Sequence, residues 1–239
     1  MPRYAYDLHI HTCLSPCGDE LMTPPNIANM AALKGLDLIA VTDHGSARNV
    51  RAVMEAAREL PLTVIPGMEL TTSEEIHVVC LFPDADSAEA AGSYAESRLA
   101  PVANRPEIFG RQVVMDAEET VLGEVGPLLI GATSISVDDA PAFAASFGGF
   151  CYPAHIDRPG GGILAAFGML PEPLPFGAVE VHNPEAFFAG GRWAGLYDLC
   201  QVVTSSDAHY LQDIAEAQRF LELPAPDFPS LQGLLGLAP

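Results

Sequence analysis

Asp7-Leu8-His9-Ile10-His11-Thr12 closes an apolar, aromatic-containing run that begins at Arg3. The run reads as a β-strand, and residues two apart in a strand share a face, so His9 and His11 aim at one point. Two converging imidazoles make half of a tetrahedral metal site. Alone, His-x-His is weak; the rest of the chain gives it weight.

Working outward, the loop after His11 leads to Thr23-Pro24-Pro25, where Thr23 suits an N-cap and Pro24 the first helical position. That helix runs to about Lys34, and Gly35 ends it. Leu36–Thr42 reads as a buried strand followed by Asp43-His44-Gly45, then a helix over 47–60 and a strand over 62–66 leading to Gly67-Met68-Glu69. This β-α-β-α-β opening predicts parallel strands with helical crossovers. Too few residues separate Glu69 from the next strand, Ile76–Phe82, for another parallel crossover. A hairpin-like return follows, with His77 near Glu69, and a helix over 87–99.

Residues 100–148 fit the alternation poorly. Short strands are expected at Arg111–Met115 and Leu128–Ile130 and a helix at Val137–Phe147, forming either an insertion or cap over the site or an irregular barrel segment. Strands at 149–154, 178–181 and 201–204 then end at His155, His182 and Ser205-Ser206-Asp207-Ala208-His209. A last strand over Gln218–Leu223 and a helix over Ser230–Leu237 complete the chain.

The 239 residues, 49% hydrophobic and 18% charged, suit one folded domain over 1–239 with an extensive core. No apolar run reaches bilayer length and the N-terminus lacks a basic-then-apolar signal, so a cytoplasmic protein without membrane contact is expected. Acidic residues number 31 against 11 basic, a formal charge of −20, and phosphate-backbone binding needs Lys and Arg. Duplex nucleic acid is therefore not an expected partner. A small phosphorylated substrate is, because bound cations invert the local field. Five cysteines are an odd number, which argues against a disulfide framework. Cys80, Cys151 and Cys200 lie in apolar runs and read as buried; Cys13 and Cys17 lie in the loop after His11.

Of the seven histidines, six fall at or just beyond the end of an inferred strand, and His77 begins a strand that returns from such an end. In parallel α/β barrels that rim is where active sites are assembled. Glu69 and Asp207 stand at the same rim, and a glutamate can bridge two ions. So many ligands exceed what one zinc uses, which points to two or three divalent ions; the mixed N/O set suits Zn, Mn or Fe.

His9-x-His11-Thr12, Thr42-Asp43-His44, Gly67-Met68-Glu69, His77, Pro153-Ala154-His155 and Ser206-Asp207-Ala208-His209 resemble, in order, the motifs of the PHP (polymerase and histidinol phosphatase) family of metal-dependent phosphoesterases. The resemblance implies a distorted (β/α)7 barrel with a trinuclear site at the C-terminal ends of its strands. It implies one ion on His9, His11, Glu69 and Asp207, and a second sharing Glu69 and adding His77 and His155. A third would take His44, His209 and a ligand from the loop after His11. Some family members have a histidine where Cys17 stands; others have an aspartate ahead of Thr-Pro, which counting back from Thr23-Pro24 is Asp19. Asp19 is preferred because a carboxylate suits an ion shared with phosphate oxygens, with Cys17 and Glu20 as alternatives.

The same resemblance makes Arg158 a bidentate phosphate clamp, or else a salt-bridge partner. Arg48 is a weaker phosphate contact, and His182 either lines the pocket or packs structurally. Glu69, Asp207 and His209 form the expected catalytic set, with His209 or His182 protonating the leaving alkoxide. The expected activity is hydrolysis of a phosphate ester by a metal-activated water, on a small nucleotide or other phosphorylated metabolite. Short RNA or DNA ends are the alternative within the family. An amidohydrolase would use a carbamylated lysine between its metals, and the only lysine, Lys34, lies on a helix. A non-catalytic metal-binding module would be favoured had ligands been lost, and nearly all are present.

Overall fold

The computed structural model describes residues 1–236. Ten strands and eight α-helices follow one another as β1 (Arg3–Ile10), α1 (Pro24–Leu33), β2 (Leu38–Val41), α2 (Val50–Ala56), β3 (Thr63–Thr71), β4 (His77–Leu81), α3 (Ala85–Glu96), α4 (Pro106–Phe109), β5 (Val113–Met115), β6 (Val121–Glu124), α5 (Ala140–Ser146), β7 (Phe150–Pro153), α6 (Ile163–Phe167), β8 (Ala178–Glu180), α7 (Pro184–Ala189), β9 (Gln201–Val203), β10 (Phe220–Glu222) and α8 (Phe228–Leu235). Thr23 caps α1 by accepting from the Asn26 N–H, and Gly35, at φ +76°, ends it. The expected terminal helix begins earlier, capped by Asp227, and its last expected residue, Leu237, lies outside the described residues.

Six strands form one mixed sheet in the order β10-β1-β2-β3-β4-β7, and β8 and β9 form a parallel pair. β1, β2 and β3 are parallel, as the helical crossovers require, while β4 returns antiparallel to β3 with His77 opposite Thr71. The sheet curls so that its two ends approach the β8–β9 pair. Ile156 N–H donates to the Glu180 carbonyl, and Ile10 bridges to Ala208 just past β9. The fold is a mixed α/β half-barrel; its ladders are a six-stranded and a two-stranded sheet, not one closed ring of parallel strands.

Alternate strand residues fill two layers. Leu8, Leu38, Ala40, Ile65, Val79, Tyr152 and Val203 pack inside the curl against α8, while Ile39, Val41, Val78 and Cys80 pack outward against the helices. Burial on both faces explains why these strands read as continuous apolar runs. β1 changes phase along its length: Tyr6 and Leu8 face inward, Ile10 outward, with a register shift against β2 between Asp7 and Ile10. Such irregularities re-aim side chains at sheet ends, and this one serves the two histidines.

In the 100–148 segment, β5 pairs antiparallel with β6, not with Leu128–Ile130. The latter stretch is a turn because the buried Gln112 side chain satisfies its backbone, donating to the Val125 and Pro127 carbonyls and accepting from the Leu129 N–H. β5 lies against the loop after His11: Val113 N–H donates to the Cys13 carbonyl, and Asn49 ties Thr12 to Val113.

Candidate metal centre

Glu69, fully buried, is the hub. Its Oε1 lies 3.0 Å from His77 Nδ1, 3.1 Å from His155 Nε2 and 3.3 Å from His9 Nε2. Its Oε2 lies 2.8 Å from His44 Nδ1 and 3.5 Å from His11 Nε2. Asp207 Oδ1 approaches His11 and His9 Nε2 at 3.1 and 3.4 Å. The imidazoles of His11 and His209 stack with centroids 4.1 Å apart. Sheet curvature brings these groups together from β1, β3, β4 and the loops after β2, β7 and β9. His9, His11, His44 and His155 are buried; His77, His209 and Arg158, with side chains 17%, 21% and 36% exposed, form the mouth.

The proton inventory tests whether cations fit. A carboxylate only accepts, so His9 Nδ1, 3.1 Å from Glu180, carries its proton there. Ser15 Oγ donates to Asp43 at 2.6 Å and therefore accepts from His11 Nδ1 at 2.9 Å. In their neutral forms both histidines then present Nε2 lone pairs, 3.2 Å apart and facing Glu69 and Asp207. His209 likewise spends its Nδ1 proton on the Asp207 carbonyl at 2.8 Å. His44 Nδ1 and Glu69 Oε2, both buried, satisfy no hydrogen-bond geometry despite their 2.8 Å separation. Converging lone pairs without protons between them repel unless a cation stands among them, so the residues fit divalent ions.

Three groups have ligand atoms within 4.8 Å of one another: His9, His11 and Glu69; His44, Glu69 and His77; His11, His44 and His209. Electrostatics agrees. Burial disfavours a charged His9, yet Glu180, Asp207 and Glu69 raise its pKa well above the usual value. His11 is lowered by burial and by His209 and His44. Asp207 is held far below the carboxylate range by His9 and His11 in spite of its burial.

Several supporting residues escape a reading of the sequence. Glu180, on β8, accepts from His9 and from the His155 N–H at 3.1 Å. Asp43 accepts from the Thr12 N–H, the Thr12 hydroxyl and Ser15. A polar residue inside an apolar strand, as in Ala178-Val179-Glu180-Val181, was the available signal for Glu180. His155 and Asp207 have φ of +26° and +54°, a strained backbone costing roughly 1–3 kcal/mol each. Gly161, at φ +70°, leaves room for His77: a Cβ there would stand 2.6 Å from the imidazole Cγ, and its carbonyl accepts from the His77 N–H.

Five further candidate residues bond to protein groups or face solvent. The Asp19 carboxylate folds back to accept from the Leu21 N–H at 2.9 Å, a local turn that competes with any ion, although its own N–H bonds the His209 carbonyl. Asp19 joins none of the ligand groups. Cys17 reaches solvent, yet burial around its thiol and the negative field of Glu69, Asp207 and Asp43 push its pKa up to about 12. Glu20 is exposed and pairs loosely with Arg111 at 3.7 Å. Arg48 is turned away from the phosphate role expected of it: its guanidinium forks onto Glu96 of α3 at 2.6 and 2.8 Å. Arg158 stands at the mouth, bonded to Asp207 and, at 3.1 Å, to His182.

Residues 7–122 match the sequence profile of the PHP domain. A 5'-3' exoribonuclease of Haemophilus influenzae is 32% identical over 79 residues, 32% of this chain and 28% of that protein. The chain spans about half the length, or less, of the curated relatives it matches. Among solved structures, the lesion-specific endonuclease Q of Pyrococcus furiosus superposes with a TM-score of 0.63 at 18% identity, over 98% of this chain and 56% of that one. A Bifidobacterium adolescentis protein named as a metal-dependent phosphoesterase gives 0.61 at 18% identity, over 98% and 96%. Endonuclease Q has also been captured with a 27-mer duplex substrate carrying an abasic lesion at its active site. The expectation that duplex nucleic acid is excluded is therefore withdrawn: endonuclease Q, a protein of similar fold, takes a duplex substrate, and overall acidity does not decide the field around bound ions. No helix among the described residues is long and apolar enough to cross a membrane. Residues 7–122 of the chain are thus identified as a PHP domain.

Proposed function

We propose that the chain is a metal-dependent phosphoesterase that hydrolyses the ester of a small nucleotide or other small phosphorylated metabolite. The observation that carries this reading is Glu69, one buried carboxylate within 3.5 Å of five imidazoles drawn from separate segments. Divalent ions of zinc, manganese or iron, held by His9, His11, His44, Glu69, His77, His155, Asp207 and His209, would supply Lewis acidity to a phosphoryl oxygen and an acidified water for attack.

The chain's own groups do the rest. Arg158 uses two of its five N–H donors on Asp207 and His182 and offers the others to non-bridging oxygens at the mouth. His182 has its pKa lowered by burial and by Arg158, so it is neutral near pH 7 and orients the guanidinium. The leaving oxygen takes its proton from solvent on the open side, beside His209, which is 21% exposed and keeps its own Nδ1 proton on the Asp207 carbonyl. Lys34 cannot serve as a metal-bridging lysine, because its Nζ donates to the Gln212 and Ile214 carbonyls.

A second reading, cleavage at the ends of short RNA or DNA, is favoured by the name of the Haemophilus relative. One panel separates them. Manganese-loaded protein is given nucleoside monophosphates, sugar phosphates, short RNA and single-stranded DNA, and phosphate and oligomer length are followed. Release from the monoesters alone supports the first reading; shortened oligomers with intact monoesters overturn it in favour of the second.

A further inference from the structure

A cavity of about 510 Å3 opens beside His77, between the loop of residues 160–162 and the turn at 128–132. Its size suits a small ligand. Thr71 borders it, two residues beyond Glu69 on β3 and directly opposite His77 on β4. Side chains two apart on a strand, and those opposite each other across a pair, share a face, so Thr71 points to the side of the metal centre. The residue is 4% exposed, and its hydroxyl has no hydrogen-bond partner among the described residues. A buried hydroxyl without a partner is costly, and it can both donate and accept when a ligand hydroxyl arrives.

The wall at 128–132 is fixed to the same strand: the Thr71 carbonyl accepts from the Thr133 N–H and from the Thr133 hydroxyl, both at 2.9 Å. Charge then limits what the cavity can take. Glu74 and Glu75 border it, and no lysine or arginine among the described residues does. Glu75 stands at φ +61°, a left-handed backbone that favours glycine. Arg158, assigned above to phosphate, is not part of this lining. An anionic group entering here would meet only like charge, whereas a neutral group would meet the Thr71 hydroxyl and the apolar surface of Leu128 and Ala166.

We propose that this cavity receives the organic part of the phosphate ester, and that it selects an uncharged, hydroxyl-bearing group, a sugar or polyol, over one that carries a carboxylate. Thr71 is then a specificity-determining residue, and the turn at 128–132 gives the 100–148 segment its part in the site. The proposal rests on the phosphoesterase reading above.

Sorbitol 6-phosphate and 6-phosphogluconate share one carbon chain and differ at its far end, a hydroxymethyl group against a carboxylate. Phosphate release from each is measured on the whole manganese-loaded chain, with an aryl phosphate as reference. The expected result is a kcat/KM at least about tenfold higher for the sorbitol ester. Thr71→Val, which exchanges the hydroxyl for a methyl, should raise KM for that ester by about 2–10-fold, with a smaller change in kcat. Ala166→Phe, at an exposed position of α6, narrows the cavity and should raise the same KM, which keeps the test if Thr71→Val does not fold. Equal kcat/KM for the two esters overturns the proposal, and so does an unchanged KM in both variants. Hydrolysis of the aryl phosphate with neither ester cleaved overturns it as well. Release from none of the three contradicts the phosphoesterase reading itself and this proposal with it.

Discussion

Glu180 accepts the Nδ1 proton of His9 at 3.1 Å, both side chains are fully buried, and 171 residues of chain separate them. The bond sets the tautomer that turns His9 Nε2 toward Glu69 and Asp207. The same carboxylate accepts from the strained His155 N–H, so it orients two candidate ligands at once. Glu180→Ala is expected to weaken metal affinity by about 10–100-fold. Glu180→Gln, which retains an acceptor oxygen, should lose less. Competition with a chromogenic chelator measures both, and equal affinity in wild type and Glu180→Ala would remove Glu180 from the account.

Gly161→Ala should strike His77 specifically. The left-handed backbone alone makes a side chain costly by roughly 1–2 kcal/mol, and the new Cβ would displace the imidazole. Lower unfolding free energy with loss of one bound ion is the expected pair of results in urea denaturation and metal analysis. Full metal content in a folded Gly161→Ala protein would show that His77 is not a ligand.

The loop after His11 makes its own prediction. Cys17 is the one exposed cysteine of the five. Iodoacetamide should therefore reach only this thiol in the folded protein, and should modify it more slowly than a free thiol because its pKa is pushed up to about 12, read by mass spectrometry. Asp19→Ala should leave metal stoichiometry unchanged, since that carboxylate serves the Leu21 N–H. Loss of an ion in Asp19→Ala would return Asp19 to the ligand set.

The strands carrying the site were legible because burial on both faces writes them as apolar runs, as in Leu38–Val41. The proximity of His77 to Glu69 followed from loop length alone. What was not legible depends on contacts across the chain. Glu180 looked like one polar residue in a strand until the curl set it behind His9. The phase change in β1 leaves no mark on composition, and only pairing with β2 reveals it. β6 is exposed along all four residues, so no alternation marked it, and a turn held by Gln112 read as a strand in its place. The direction of the Asp19 carboxylate was not legible either, because it depends on a local bond to the Leu21 N–H within its own loop.

A pH dependence follows from the cap of α3. Asp84 accepts from the Ser87 N–H at 2.8 Å, and that bond lowers its pKa in the folded chain. A lowered carboxylate contributes stability that is present above its unfolded pKa and is lost as pH falls through the folded value. Asp84→Ala should therefore cost about 0.5–1 kcal/mol near pH 7, with the gap from wild type closing below the ordinary carboxylate range. Asp84→Asn should stay close to wild type. A gap independent of pH, measured by urea denaturation, would show that the cap does not depend on charge.

The central claim is that the Glu69 cluster holds ions that drive phosphoester hydrolysis. The most direct measurement is phosphate release from a nucleoside monophosphate and from an aryl phosphate. It is made on protein stripped by chelator and then reloaded stepwise with manganese or zinc while bound metal is counted. The account predicts no release from the stripped protein, recovery that tracks bound equivalents, and loss of both metal and activity in Glu69→Gln. Release unaffected by stripping, or fully loaded protein inactive on every phosphate ester including the RNA and DNA of the panel, would contradict it.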